Sequence, residues 1–278
     1  MDHHKLNTRQ SFLADVWQSR KLIMQLAKND FKTRYAGSFL GVFWAFVQPV
    51  VIVCIYWFVF EKGLRAGHQV MGNADVPFVL FLISGLVPWF FFSDAWSNGT
   101  NSLTSYSYLV KKVVFKISIL PVVKVISAIF VHLFFICLAV LIFWLYGFPP
   151  NLYTLQVFYY TFAAFVLVLG LSYITASLVV FIRDLREMVN ILLQILIWAT
   201  PIMWNIETTL SSQPTIKLLF KLNPIYYVVY GYRCALVYKT WFWENPAMTA
   251  WFWFVALAIL GVGLAVFRRL KPHFADVL

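Results

Sequence analysis

Residues 122–146 read VVKVISAIFVHLFFICLAVLIFWLY, a run of 25 positions with no acidic residue and with Lys124 and His132 as its only basic ones. As a helix it covers about 37 Å at 1.5 Å per residue, more than the ~30 Å hydrocarbon core of a bilayer. A stretch this long and apolar predicts a membrane-spanning helix. Working outward, residues 39–60, 78–96, 157–182, 191–204 and 248–267 carry the same character, although 191–204 is short and interrupted by Pro201. Six spans place both ends of the chain on one side of the membrane.

The rest of the composition agrees. The hydrophobic fraction is 62% and the mean hydropathy +0.77, well above the roughly 45–50% apolar usage of soluble domains. The first 38 residues are polar and show no apolar run ending in a small-residue cleavage site, so the first span is expected to serve as the insertion signal. The net charge of +11 reads as topology and contact with anionic lipid rather than nucleic-acid binding. Cys54, Cys137 and Cys234 are scattered, and the first two lie inside apolar runs, where a thiol packs as a small hydrophobe.

Lys and Arg choose the orientation. Arg20, Lys21, Lys28, Lys32 and Arg34 precede the first span, Lys111, Lys112 and Lys116 follow the second, Arg183 and Arg186 follow the fourth, and Arg268, Arg269 and Lys271 close the chain. Both termini are therefore expected in the cytoplasm. Trp and Tyr crowd the span ends, as at Trp89, Trp96, Trp144, Tyr146, Trp204, Trp241 and Trp243, where an amphipathic ring suits the headgroup layer.

Two segments fall outside a simple bundle. Residues 13–35 carry Leu13, Val16, Trp17, Ile23, Met24, Ala27, Phe31 and Tyr35 at helical spacing, with Gln18, Lys21, Gln25, Lys28, Asn29 and Lys32 opposite, which predicts an amphipathic helix in the cytoplasmic interface. Leu22 and Leu26 depart from the stripe. On the outer side, residues 216–222 and 225–238 are apolar but shorter than the ~17 residues a span requires, and Asn223–Pro224 divides them. Two short re-entrant helices within 206–246 fit this pattern, as does an amphipathic surface loop. The expected organisation is all-α: a cytoplasmic segment 1–38 with its interface helix, a six-span domain 39–270, and a tail 271–278.

Chemistry is sparse. No GxxxxGK[ST] stretch is present to hold a nucleotide, no His/Cys/Asp/Glu cluster has metal-ligand spacing, and no nucleophile sits in a GxSxG-like context. Asp94, Lys124 and His132 are the ionisable groups placed within or beside spans. Asp94 and Lys124 lie near cytoplasmic ends, within reach of water or of each other. His132 is deeper, a structural group or a proton relay. Without a central Asp or Glu in any span, ion-coupled secondary transport has little to work with, and a scaffold role is the other alternative. The turn FIRDLRE, residues 181–187, either caps helices or docks a soluble partner.

Six stretches together resemble one family. They are NDFKTRYAGSFLGVFW (29–44) running on to Gln48 and Pro49, GLVPW (85–89), FIRDL (181–185), TPIMW (200–204), LNPIY (222–226) and FRRLKPHFADVL (267–278). In order and spacing they are similar to permease subunits of ABC-2 type polysaccharide exporters, and most like those that export O-antigen. That resemblance implies a homodimer in the bacterial inner membrane, bound to two copies of a separate cytoplasmic ATPase that holds ATP and Mg, with no cofactor in this chain. It implies an undecaprenyl-linked cargo: O-antigen, capsular polysaccharide or teichoic acid. By matching position it assigns ATPase coupling to Arg183, Asp184, Leu185 and Glu187 and to residues 105–116, including Tyr106 and Lys111. Lys32, Arg34 and Lys111 are then candidates to meet the carrier pyrophosphate. Aromatic rings stack on sugar C–H faces without fixing a register, so Trp44, Phe46, Trp57, Trp89, Phe90, Phe91, Tyr173 and Trp198 are candidates to line a glycan channel.

Overall fold

The computed structural model describes residues 12–34, 39–71, 74–111 and 115–278. Residues 1–11, Tyr35 of the apolar stripe, Lys112 of the basic loop and part of the 29–44 motif lie outside them. The chain is a helical bundle. Its helices of seven residues or more, among the described residues, are α1 (Phe12–Gln18), α2 (Arg20–Arg34), α3 (Trp44–Trp57), α4 (Phe78–Thr100), α5 (Leu120–Leu145), α6 (Gln156–Val179), α7 (Leu185–Ala199), α8 (Pro214–Lys221), α9 (Pro224–Arg233) and α10 (Pro246–Leu270). The architecture is all-α as expected, with one short addition: Gln69–Met71 and Ala74–Val76 pair as antiparallel strands ahead of α4 in the chain.

Among the described residues five helical stretches are long and apolar enough to cross a membrane: Gly41–Gly63, Phe78–Thr100, Ile117–Leu145, Leu152–Val179 and Pro246–Val277. The expected span at 191–204 differs. Its helix, α7, has 15 residues, about 22 Å, and stops before Thr200 turns extended (ψ 128°) ahead of Pro201. The residue before a proline is pushed out of the helical region, so TPIMW ends the helix where the hydropathy runs on. The first span is also less regular than expected: a 3₁₀ turn from Gly41 to Phe43 leads into α3, and a π-helical turn from Phe58 to Gly63 ends it.

Local chemistry sets many of the boundaries. Asn223 and Asn245 accept the Ile225 and Met248 amides, and each precedes a proline at the first position of α9 and α10, an arrangement suited to a helix start. Pro121 sits at the second position of α5, without a capping side chain before it, and after the last turn Gly147 adopts φ +87°, a conformation glycine takes without strain.

α4 sits at the centre, packed against α3, α5, α6, α7 and α9. In its most apolar stretch 83% of residues are buried, against 6% in the first span. The outlying first span therefore exposes Phe43, Trp44, Val51, Ile55 and Phe58, while α7 exposes Ile191, Leu192, Ile195 and Trp198. α6 and α10 approach closely because Gly170 and Gly263 face each other: a Cβ on Gly263 would lie 2.5 Å from the Gly170 carbonyl oxygen. Small residues that let backbones meet drive helix association where apolar burial offers no gain over lipid.

The amphipathic segment is a helix, broken at Ser19 into α1 and α2. Its buried face keeps the centre of the expected stripe but not its edges. Ile23, Ala27 and Asp30 are buried against α5, whereas Trp17, Leu22 and Met24 are exposed and Leu26 is partly buried on the core. Asp30 draws the helix inward, for a reason found in the site.

Candidate functional site

The end of the bundle where α2 meets α4 and α5 holds a cluster of charge, buried at Asp30 and Lys124 and open at Asp94. Asp30 on α2 is 5% exposed and its Oδ1 accepts both the Lys124 ammonium at 2.6 Å and the Tyr106 hydroxyl at 3.0 Å. One turn later on the same face, Arg34 spans two carboxylates: Nη2 lies 3.3 Å from Asp30 Oδ2, and Nη1 lies 2.9 and 3.2 Å from the two oxygens of Asp94 on α4. Nη2 also reaches Ser127 of α5 at 3.4 Å, and Asn98 donates to Asp94 Oδ1 at 2.7 Å. Two cations and two anions leave this cluster formally neutral, the condition under which charge can be buried.

Burial raises the Asp30 carboxyl, but the hydrogen bond and charge of Lys124 and the charge of Arg34 outweigh it and hold the group below its ordinary value of 3.8. For Tyr106, burial and then the Asp30 charge push the phenol up, so it stays a donor. The cluster joins the interface helix, the second and third spans and the loop after α4. Asp94 and Lys124 thus do not reach each other; each is engaged through a residue of α2, Lys124 in a buried position and Asp94 with its side chain still 41% exposed, as expected of a group near water. Asp30 was missed in the sequence, although an acidic residue four before Arg34 in a basic segment is a readable helix pair.

A cavity of about 400 Å³ extends from Asp94 between α3, α4, α5 and α7. It gathers Trp44, Trp89, Phe90 and Phe91 of the expected aromatic lining with Gln48, Tyr56, Ser93, Ser97 and His132. Gln48 was legible as an amide inside an apolar run. His132 stacks on Phe91, with centroids 4.6 Å apart. Its Nε2 lies 2.8 Å from the Tyr232 hydroxyl and 3.2 Å from Thr161 Oγ1, while Nδ1 is buried with no hydrogen-bond partner among the described residues.

The other proposed lining residues lie elsewhere. Phe46 packs on Phe134 at 4.3 Å. Trp57 donates to Glu61 at 2.7 Å and borders a separate, mostly apolar hollow of about 370 Å³ with Phe90. Tyr173 is fully buried, donates to the Ser118 carbonyl and packs on Phe267. Trp198 is exposed on α7.

The turn after α6 leaves Arg183, Asp184 and Glu187 exposed and Leu185 half-buried. Arg186 reaches Thr104 Oγ1 at 3.4 Å, so this turn sits beside the helix Ser102–Ser105 that leads to Tyr106. Lys32 and Lys111 are exposed. The two segments assigned to coupling are therefore neighbours on one surface, and Tyr106 connects that surface to Asp30.

The model of the ABC-2 type transporter family matches residues 21–237, from the start of α2 to the turn that follows α9. The chain belongs to the ABC-2 type transporter family. As a member it is a transport component and a multi-pass membrane protein. It is similar to the O-antigen export system permease protein RfbA of Klebsiella pneumoniae, 26% identical over 262 residues that cover 92% of this chain and 95% of the relative. It is equally similar to RfbA of Myxococcus xanthus, 26% identical over 262 residues covering 94% and 97%. In this ABC-2 chain the matched region includes the Asp30 cluster, the cavity and the exposed turn.

At the opposite end, the segment after α7 is held from two sides. Asn223, at the start of α9, donates to Thr200 Oγ1 at 3.0 Å, and Arg233, at its end, donates to the Ile202 carbonyl at 2.9 Å. Arg233 is buried and lies over the Phe81 ring at 3.8 Å. Gly85 of α4 makes room: a Cβ there would lie 3.0 Å from Ile202 and 3.2 Å from the Arg233 guanidinium.

Proposed function

We propose that this chain is the membrane permease of an ATP-driven exporter of lipid-linked polysaccharide, with O-antigen as the cargo class. The observation that carries the reading is the 400 Å³ cavity, lined by aromatic rings and ending at Asp94 beside Arg34, in a chain whose full-length relatives are named for O-antigen export. Rings offer stacking surfaces to sugars, and His132 Nδ1, Gln48, Ser93 and Ser97 offer polar contacts. Arg34, with Lys32 and Lys111 on the nearby surface, meets the carrier pyrophosphate.

In this reading the Arg183 turn and the Ser102–Tyr106 segment face two copies of a cytoplasmic ATPase, which bind ATP and Mg²⁺. Closure of the ATPase reaches the spans through Tyr106 and Asp30. Two permease copies assemble in the inner membrane with both termini in the cytoplasm, using the exposed faces of α3 and α7. α7 and the segment after it form the sixth crossing, and α8 and α9 dip into the outer leaflet as re-entrant helices.

The test is surface polysaccharide in cells lacking the chain, complemented by variants. Arg34→Ala is expected to lower export while the ATPase complex still assembles; export at the wild-type level removes Arg34 from the carrier contact. Because Arg34 also holds Asp94, Arg34→Lys serves as the charge-conserving control, which retains complex stability and recovers part of the export.

A further inference from the structure

At the end of the bundle remote from Asp30, α9 runs into a π-helical turn, Cys234–Tyr238, and Lys239 then adopts a left-handed backbone with φ 54°. Both are uncommon in ordinary chain, and such turns recur at binding sites. The loop that follows closes a second cavity, about 230 Å³, against the starts of α6 and α10. Its walls are the rings of Tyr160, Tyr227, Tyr230, Trp241 and Phe242, with Glu244 at the rim.

The polar groups of this cavity are unequally used. The Tyr227 hydroxyl is engaged by Tyr159 at 2.9 Å and by Thr249 at 3.1 Å. Glu244 accepts the Trp241 amide at 2.8 Å through Oε1, and no ion pair among the described residues involves it. A carboxylate without a cation beside several electron-rich rings is a setting for positive charge, since rings attract ammonium groups through their faces. Lys239, next to Thr240 of the lining, is exposed and also takes part in no such ion pair. The site thus offers a negative cage beside a positive neighbour. It lies where Trp241 stacks on the exposed Trp243 at 4.6 Å and 8°, a pairing suited to the headgroup layer.

We propose that this cavity binds the ammonium of a zwitterionic phospholipid of the phosphatidylethanolamine type, with Lys239 meeting the phosphate. A neutral hexose also stacks on rings but makes no use of the paired opposite charges. The site is independent of the cargo and of the export reading. The test is native mass spectrometry of the full chain from micelles holding equal phosphatidylethanolamine and phosphatidylglycerol. Several-fold more ethanolamine-lipid adducts are expected on the wild type, with parity in Glu244→Gln, fewer adducts of both lipids in Lys239→Gln and retention of the preference in Glu244→Asp. Equal adducts on the wild type, or a preference unchanged in Glu244→Gln, overturns the site. Competition by free ethanolamine at the lipid's own concentration assigns the cage to a soluble amine and overturns the lipid. Retention of glucose or mannose without headgroup preference overturns it in favour of a sugar.

Discussion

Asp30 carries more of the site than any other side chain, because one carboxylate receives an ammonium, a guanidinium and a phenol. Asp30→Asn leaves Lys124 charged and buried without its counter-ion, and removing one partner of a buried pair costs about 3–5 kcal/mol. A lower melting temperature in detergent is the expected reading, partly recovered in Asp30→Asn/Lys124→Gln; an unchanged melting temperature removes the hub. The pH dependence has a definite sign. The folded carboxyl titrates below 3.8, so its contribution is present above that value and is lost as pH falls through the folded value. Wild-type protein should therefore lose more stability than Asp30→Asn as pH falls below 3.8, as followed by thermal unfolding. Asp94, Lys124 and His132 were visible in the sequence as costly groups in apolar runs. Their partners were not, since Asp30–Lys124 and Arg34–Asp94 are contacts across helices that no local spacing encodes.

Apolar runs and proline signals made the helices legible: residues 122–146 fall on α5, and the Asn223–Pro224 break falls between α8 and α9. The break at Thr200–Pro201 was visible as an interruption, but hydropathy could not place the helix end. Nor could it show that Asn223 and Arg233 hold this segment. Gly85→Ala tests that joint, since a methyl at 3.0–3.3 Å from Ile202 and Arg233 overpacks it at about 1–3 kcal/mol. A lower melting temperature is expected, and no change means the joint yields freely. Gly263→Leu should be worse, because the Gly170 carbonyl lies 2.5 Å from the new Cβ and backbone cannot step aside; loss of the monodisperse peak in size-exclusion chromatography is the outcome to look for.

For the whole molecule, the neutral charge cluster ties the α2 face to α4 and α5, and the exposed turn at Arg183 lies beside the loop leading to Tyr106. Motion applied at that surface has a continuous route to the cavity. Arg183→Ala/Asp184→Ala should leave the ATPase bound but separate hydrolysis from export; coupled turnover at the wild-type rate removes the turn from this role. The broad exposed faces of α3 and α7 were not legible beforehand, because an apolar residue facing lipid and one facing a second chain look alike in sequence.

The measurement that bears most directly on the account combines this chain with a candidate ABC ATPase and follows surface polysaccharide in cells lacking this chain. The account predicts a stable complex that hydrolyses ATP and restores the surface glycan. A chain that binds no ATPase and leaves the glycan unchanged contradicts it.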